Sequence, residues 1–299
     1  MKKSIILLIV LGMSLTMTLG FTGCKAKVEP ACYPNWAFES LKKENAEMSK
    51  EANIRIMSSN VLVHIKGWGG IPVKPRAQQF AEVLHHYTPD VVALQEMCKD
   101  WYKLLPPQIS DTYAMLDTKP ADYTTMIYNT KTLKLLEQGI FRYTKESNKN
   151  CRFIVWGVFE KLETGEKFAV TSTHWDFGMQ ESKIEMRTVQ VKEQSELVAK
   201  LANDYGVPVF TAGDFNSFEK EKKECADSYN EFLEISGMVD SKFVDGVEKK
   251  FGPKTTYETE TWDHIFITGK VKPITFNILA NDFYEDMSDH PMIYLDAKI

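Results

Sequence analysis

Five strand-like segments follow one another between Tyr113 and His174 with no helix to separate them, and this run limits the fold more than any other feature. They cover 113–116, 125–129, 133–142, 152–161 and 167–174, and Leu162-Glu-Thr-Gly165-Glu joins the last two with the composition of a hairpin turn. A doubly wound parallel sheet needs a crossover helix between successive strands, and this run has none. Helices are placed only around it. An amphipathic helix is expected over 75–87, with Ala77, Phe80, Ala81 and Leu84 near helical spacing, and another begins near Lys99. A long one spans 182–203, punctuated by Gly206 and Pro208, and a fourth spans 220–236. Further strands are expected at 54–63, 90–95, 207–212, 262–268 and 292–297. Two mixed sheets packed face to face with helices on their outer faces fit this order: an α/β, four-layer α/β/β/α sandwich. At 299 residues and 43% hydrophobic the chain can bury such a core, and no linker or repeat interrupts it after residue 54.

The first 23 residues read as a signal peptide. Lys2 and Lys3 are followed by an apolar run from Ile5 to Gly12, too short and wrongly flanked for a membrane span. Leu19-Gly-Phe-Thr-Gly23-Cys24 resembles a bacterial lipobox, with Phe21 where Leu is usual. Residues 24–53 are then a lipidated N-terminus and tether, with a polar helical stretch over 38–51, and 54–299 the domain. The expected location is extracytoplasmic, anchored to the bacterial membrane through Cys24, with plain secretion as the alternative. Of the other cysteines, Cys98 with Cys151 is the first disulfide to test, against free thiols throughout; Cys32 and Cys225 complete the even count.

The net charge is −5, and loss of Lys2 and Lys3 with the leader makes it −7. Binding of nucleic acid by bulk positive charge is excluded. Handling of phosphate through a metal ion is not, because the ion supplies the charge locally.

Polar residues break the apolar pattern at six strand ends: Ser58-Ser-Asn60, Leu94-Gln-Glu96, Thr173-His174-Trp-Asp176, Gly213-Asp214-Phe-Asn216, Trp262-Asp263-His264 and Ser288-Asp289-His290-Pro291. Singly each has an ordinary reading as a helix cap, a turn or a satisfied core histidine. Together, acids and imidazoles at several strand tips are how a sheet scaffold builds one convergent site.

In this order the motifs resemble the endonuclease/exonuclease/phosphatase superfamily, the DNase I-like fold, over 54–299. The resemblance implies metal-assisted hydrolysis of a phosphate ester, usually with Mg²⁺ and with Mn²⁺ as the alternative. It implies Asn60, Glu96 and Asp289 beside the metal, and His290 as the group that polarises water, held by Asp263. Asp214 and Asn216 would orient the nucleophile and bind phosphoryl oxygens. His174 would stabilise the developing charge or protonate the leaving oxygen, with Asp122 as a candidate to orient it. Its presence leans away from the abasic-site endonuclease branch and toward DNase, sphingomyelinase and inositol-phosphatase branches. Expected partners are a phosphate-ester substrate (nucleic acid, phospholipid head group, or sugar or inositol phosphate) and the membrane, for a monomeric protein. The alternative is a non-catalytic surface binding module on the same fold. Arg187 and Gln190 on the long helix read as structural supports.

Overall fold

Strands buried on both faces dominate the computed structural model, which describes residues 35–64, 72–118, 123–147, 151–218, 223–251, 261–280 and 282–299. The leader, Cys24, Cys32, Asp122 and the side chain of Cys225 lie outside the described residues. In chain order the strands are β1 (Ile54–Asn60), β2 (Val91–Gln95), β3 (Tyr113–Met115), β4 (Thr124–Asn129), β5 (Leu133–Arg142), β6 (Phe153–Lys161), β7 (Lys167–His174), β8 (Val209–Asp214), β9 (Val239–Asp240), β10 (Glu248–Phe251), β11 (Asp263–Ile267), β12 (Lys272–Leu279) and β13 (Met292–Lys298). The helices are α1 (Asn35–Leu41), α2 (Val73–Tyr87), α3 (Lys99–Leu104), α4 (Pro106–Ile109), α5 (Glu181–Tyr205), α6 (Lys223–Ser236) and α7 (Asp282–Glu285).

Among the described residues these strands make two mixed sheets, ordered β10-β12-β13-β1-β2-β4-β3 and β5-β6-β7-β8-β11-β9. Side chains alternate across each strand, so one strand feeds two cores. Ile54 and Ile56 of β1 face the second sheet, packing in one cluster with Phe168, Val170, Phe210 and Ile265. Met57 faces the other way, into a cluster with Phe80, Val83 and Leu84 of α2 and Trp101 of α3. The outer face of the second sheet carries Ile154, Ala169 and Phe266 under Val191 and Val198 of α5 and Tyr229 and Phe232 of α6. Three apolar layers between four structural layers give the α/β/β/α sandwich expected from the strand run.

Most expected elements are found within two or three residues of their limits, and three departures have physical causes. The helix expected over 38–51 stops at Leu41, where the chain turns so that the Glu44 carboxylate accepts from Tyr87 and Tyr284 and Ala46 O accepts from the buried Arg55. The expected strand over 54–63 stops at Asn60, where the chain turns through Leu62 at φ 56°. Strand β12 was not anticipated: Pro273 stands near its start, where a register irregularity accommodates it. Cys98 and Cys151 form no disulfide, so of the two readings kept for this pair the thiol one holds. Cys98 packs against the helix-side cluster of the first sheet, whereas Cys151 opens onto a cleft at the start of β6.

Candidate active site

Strand direction gathers the site at one edge of both sheets. β1 and β2 run parallel and end together, with Asn60 paired to Gln95 and Glu96 one residue beyond. β7 and β8 also run parallel, ending on the pair His174 and Asp214, and antiparallel β11 begins with Asp263 opposite Asp214. The turn Ser288–His290 leads into β13 beside β1, where Ser288 Oγ donates to Asn60 O at 2.5 Å. Gly213 is required here: a Cβ would lie 2.2 Å from Thr173 O of the paired strand.

Asp214, 1% exposed, is the hub. Its Oδ2 accepts from Asn60 Nδ2 at 3.1 Å and His174 Nε2 at 3.2 Å, and His290 Nε2 stands 3.8 Å away. Its Oδ1 accepts from Asn216 N at 2.9 Å. Asn60 Nδ2 also donates to Glu96 Oε1 at 3.2 Å, so one amide joins an acid of each sheet. His290 donates Nδ1–H to Asp263 Oδ2 at 2.6 Å, which fixes the imidazole with Nε2 toward Asp214. Burial acts to raise the Asp214 carboxyl, but His174 and His290 outweigh it and hold it well below the usual carboxylate range. Burial pushes Asp263 up against the pull of His290. For His290 burial acts downward, yet Asp263 and Asp214 carry it well above the ordinary imidazole value.

The sequence-derived residues therefore converge, with one exception. Glu96, His174, Asp214, Asn216 and His290 line a cleft of about 600 Å³, with Asn60 bonded to Glu96 and Asp263 bonded to His290. Asp289 is exposed and does not line the cleft; its carboxylate meets the Ser288 hydroxyl at 3.5 Å. His290 turns inward from that loop, and its neighbour turns outward. His264, in the same motif as Asp263, is a satisfied core histidine bonded to Asp240 and Ser217 O. Glu96 does not cap α3, whose N-cap is Cys98; its carboxylate accepts instead from Val63 N at 2.9 Å and from Asn60.

Five further lining residues escaped the sequence reading: Val63, Tyr123, Cys151, Arg152 and Phe177. Arg152, 6% exposed, leads strand β6 with Nε 3.8 Å from Asp176 Oδ1. A cation at the head of an apolar strand was the available signal. His174 Nδ1 is buried with no hydrogen-bond partner among the described residues, and Asp122 lies outside them.

Among the described residues no three His, Cys, Asp or Glu side chains gather into a closed metal cage. The donors present fit a different kind of ion. Glu96 presents a partly exposed carboxylate to the cleft, fixed by two N–H donors and, among the described residues, without a Lys or Arg partner. One such oxygen donor with Asn60 beside it suits a hard cation that keeps most of its waters.

The two-sheet sandwich defines a fold class, and solved structures share it. The chain aligns with an endonuclease/exonuclease/phosphatase from Bacteroides vulgatus at 19% identity and TM-score 0.68, over 82% of this chain and 98% of that one. A mannosyl-6-phosphatase from Bacteroides thetaiotaomicron aligns at 17% identity and TM-score 0.65, over 83% and 100%. The human Nocturnin catalytic domain with bound sulfate aligns at 19% and 0.65, over 84% and 95%. No protein-family model and no curated protein sequence matches the chain. What is shared with these structures is the DNase I-like fold.

Proposed function

We propose that this chain belongs to the endonuclease/exonuclease/phosphatase family and hydrolyses a phosphate ester with a divalent cation, Mg²⁺, at Glu96, beside Asn60. The convergence of His174, Asp214 and the Asp263–His290 pair on one cleft carries the reading. In its neutral form, which the raised imidazole value shifts toward alkaline pH, His290, oriented by Asp263, takes a proton from the attacking water as its oxygen bonds to phosphorus. The ester P–O bond breaks, and His174 gives a proton to the departing alcohol oxygen. Asp214 holds both imidazoles, and Arg152 and Asn216 face the phosphoryl oxygens from the cleft walls. When bound, the cation supplies positive charge against those oxygens.

The test is phosphorus NMR of residues 25–299 with a mixed panel of esters, in Mg²⁺ or in EDTA. New resonances that need Mg²⁺ are expected, with His290→Ala slower by ~10²–10⁴-fold. A folded protein that turns over no ester would instead favour the binding-module alternative. The extracytoplasmic, lipid-anchored location is part of the proposal and rests on residues 1–24. Palmitate labelling lost in Cys24→Ser is the expected result, and unlabelled wild type rejects the anchor.

A further inference from the structure

The segment directly after His174 holds an aromatic ring in water by construction. Trp175 and Asp176 are fully buried, yet Phe177 is 52% exposed and lines the cleft. Its neighbours are tied on every side. Trp175 N donates to Asp214 O, and Trp175 O accepts from Asn216 Nδ2 at 3.0 Å. Asp176 N donates to Gln190 Oε1 at 2.9 Å, and its carboxylate accepts from Gln190 Nε2 at 2.8 Å and from Ser147 N. Arg187 donates to Asp176 O and Gly178 O at 3.0 and 2.7 Å. Gly178 supplies the φ of 108° that reverses the chain behind the ring.

A floppy loop exposes apolar side chains at random; a segment pinned at both ends presents one in a fixed place. The place is the lining of the cleft that also holds Asp214 and His290, with Val63 and Cys151 among the other lining residues. A cleft of about 600 Å³ lies within the range of small-molecule sites.

We propose that Phe177 is a specificity-determining platform for the leaving group, and that the substrate is a small phosphate ester whose alcohol carries a ring. A sugar lays its C–H face on the aromatic ring, and a nucleoside stacks its base there. The proposal rests on the phosphoesterase reading, since it places the phosphate among His174, Asp214 and His290.

The test compares kcat/KM in Mg²⁺ for a hexose 6-phosphate, a nucleoside 5′-monophosphate and acyclic ethyl phosphate. Wild type is expected to prefer at least one ring-bearing ester to the acyclic one by roughly five- to a hundredfold, the range that removal of a stacking contact commonly changes. Phe177→Ala should collapse that ratio through KM, and Phe177→Trp should retain it. The preferred ring ester identifies sugar or nucleoside as the source. A ratio unchanged within twofold in Phe177→Ala overturns the platform and leaves the phosphoesterase reading standing. A second readout needs no turnover: in EDTA, the emission of the indole introduced by Phe177→Trp should change on titration with the preferred ester. No change with either ring ester also overturns the proposal, whereas binding without turnover in Mg²⁺ would strike the hydrolase reading alone.

Discussion

Four non-glycine residues adopt positive φ among the described residues; Glu96 at 60° and Asn216 at 47° line the cleft, and Leu62 at 56° precedes the lining Val63. Such conformations cost on the order of 1–3 kcal/mol each and persist where surrounding contacts over-determine them. Asn216 is fixed through its backbone N–H to Asp214 and its amide to Trp175 O. Asn216→Gly removes the backbone strain along with the amide bond. It should unfold within about 1 kcal/mol of wild type by urea titration while phosphate release falls at least tenfold. Equal losses of stability and activity would make Asn216 a fold residue only. Asp90 gives a second test, away from the cleft. It is 4% exposed and accepts from Arg55 N at 2.8 Å and Thr132 Oγ1 at 2.6 Å, yet burial raises its pKa against these contacts. A raised folded pKa means that this group's stabilising contribution is full below the unfolded value near ~4 and is lost as pH rises through the folded value. Asp90→Asn keeps the shape without the charge, so it should equal or exceed wild type in stability at pH 7 and lose that advantage on acidification. A variant less stable than wild type at pH 7 would contradict this.

At the scale of elements, helix α2 fastens two loops beside the candidate site. Arg76 is fully buried and donates to Val61 O and Leu62 O at 2.5 and 2.9 Å, and to Met287 O at 3.0 Å. Trp101 of α3 adds a bond to Leu62 O, and the Arg76 guanidinium lies 5.2 Å from the Trp101 ring centroid. One side chain thus holds the turn that presents Val63 N to Glu96 and the loop that leads to His290. All three bonds come from Nη1, and Arg76→Lys keeps the charge but loses the planar guanidinium that lies against Trp101 and the geometry that carries Nη1 to those carbonyls. Activity should fall about tenfold or more. Activity within twofold of wild type would reject the clamp. Element positions were largely legible beforehand: β5 and β7 lie where their apolar patterns end, and the site acids interrupt those patterns. The clamp was not, because Arg76 acts on backbone carbonyls far away in sequence and leaves no spacing to read. Phe177 and β12 escaped for related reasons. An exposed aromatic after a histidine looks like any loop residue, and Pro273 argues against a strand unless its position at the strand start is known.

For the whole molecule, the two sheets meet electrostatically through Asn60, which donates to Glu96 from the first and Asp214 from the second. Asp214 has two imidazoles beside it, whereas Glu96 has none and no Lys or Arg partner among the described residues. The acid on the first sheet is therefore where a cation would be welcomed, and its binding should report on the fold as a whole. A ligand that binds only the folded state stabilises it by RT ln(1 + [L]/Kd), about 2.7 kcal/mol at a hundredfold excess over Kd. Mg²⁺ should raise the Tm of residues 25–299 progressively with concentration, and EDTA should return it to the metal-free value. Glu96→Gln keeps the bond from Val63 N, removes the uncompensated charge, and should match or exceed the wild-type Tm in EDTA while losing most of the Mg²⁺ response. A Tm that ignores Mg²⁺ in wild type, or a full response in Glu96→Gln, would move the cation away from this carboxylate. An intact response in Asp289→Asn would agree with its outward placement, and a lost one would return that loop to the metal.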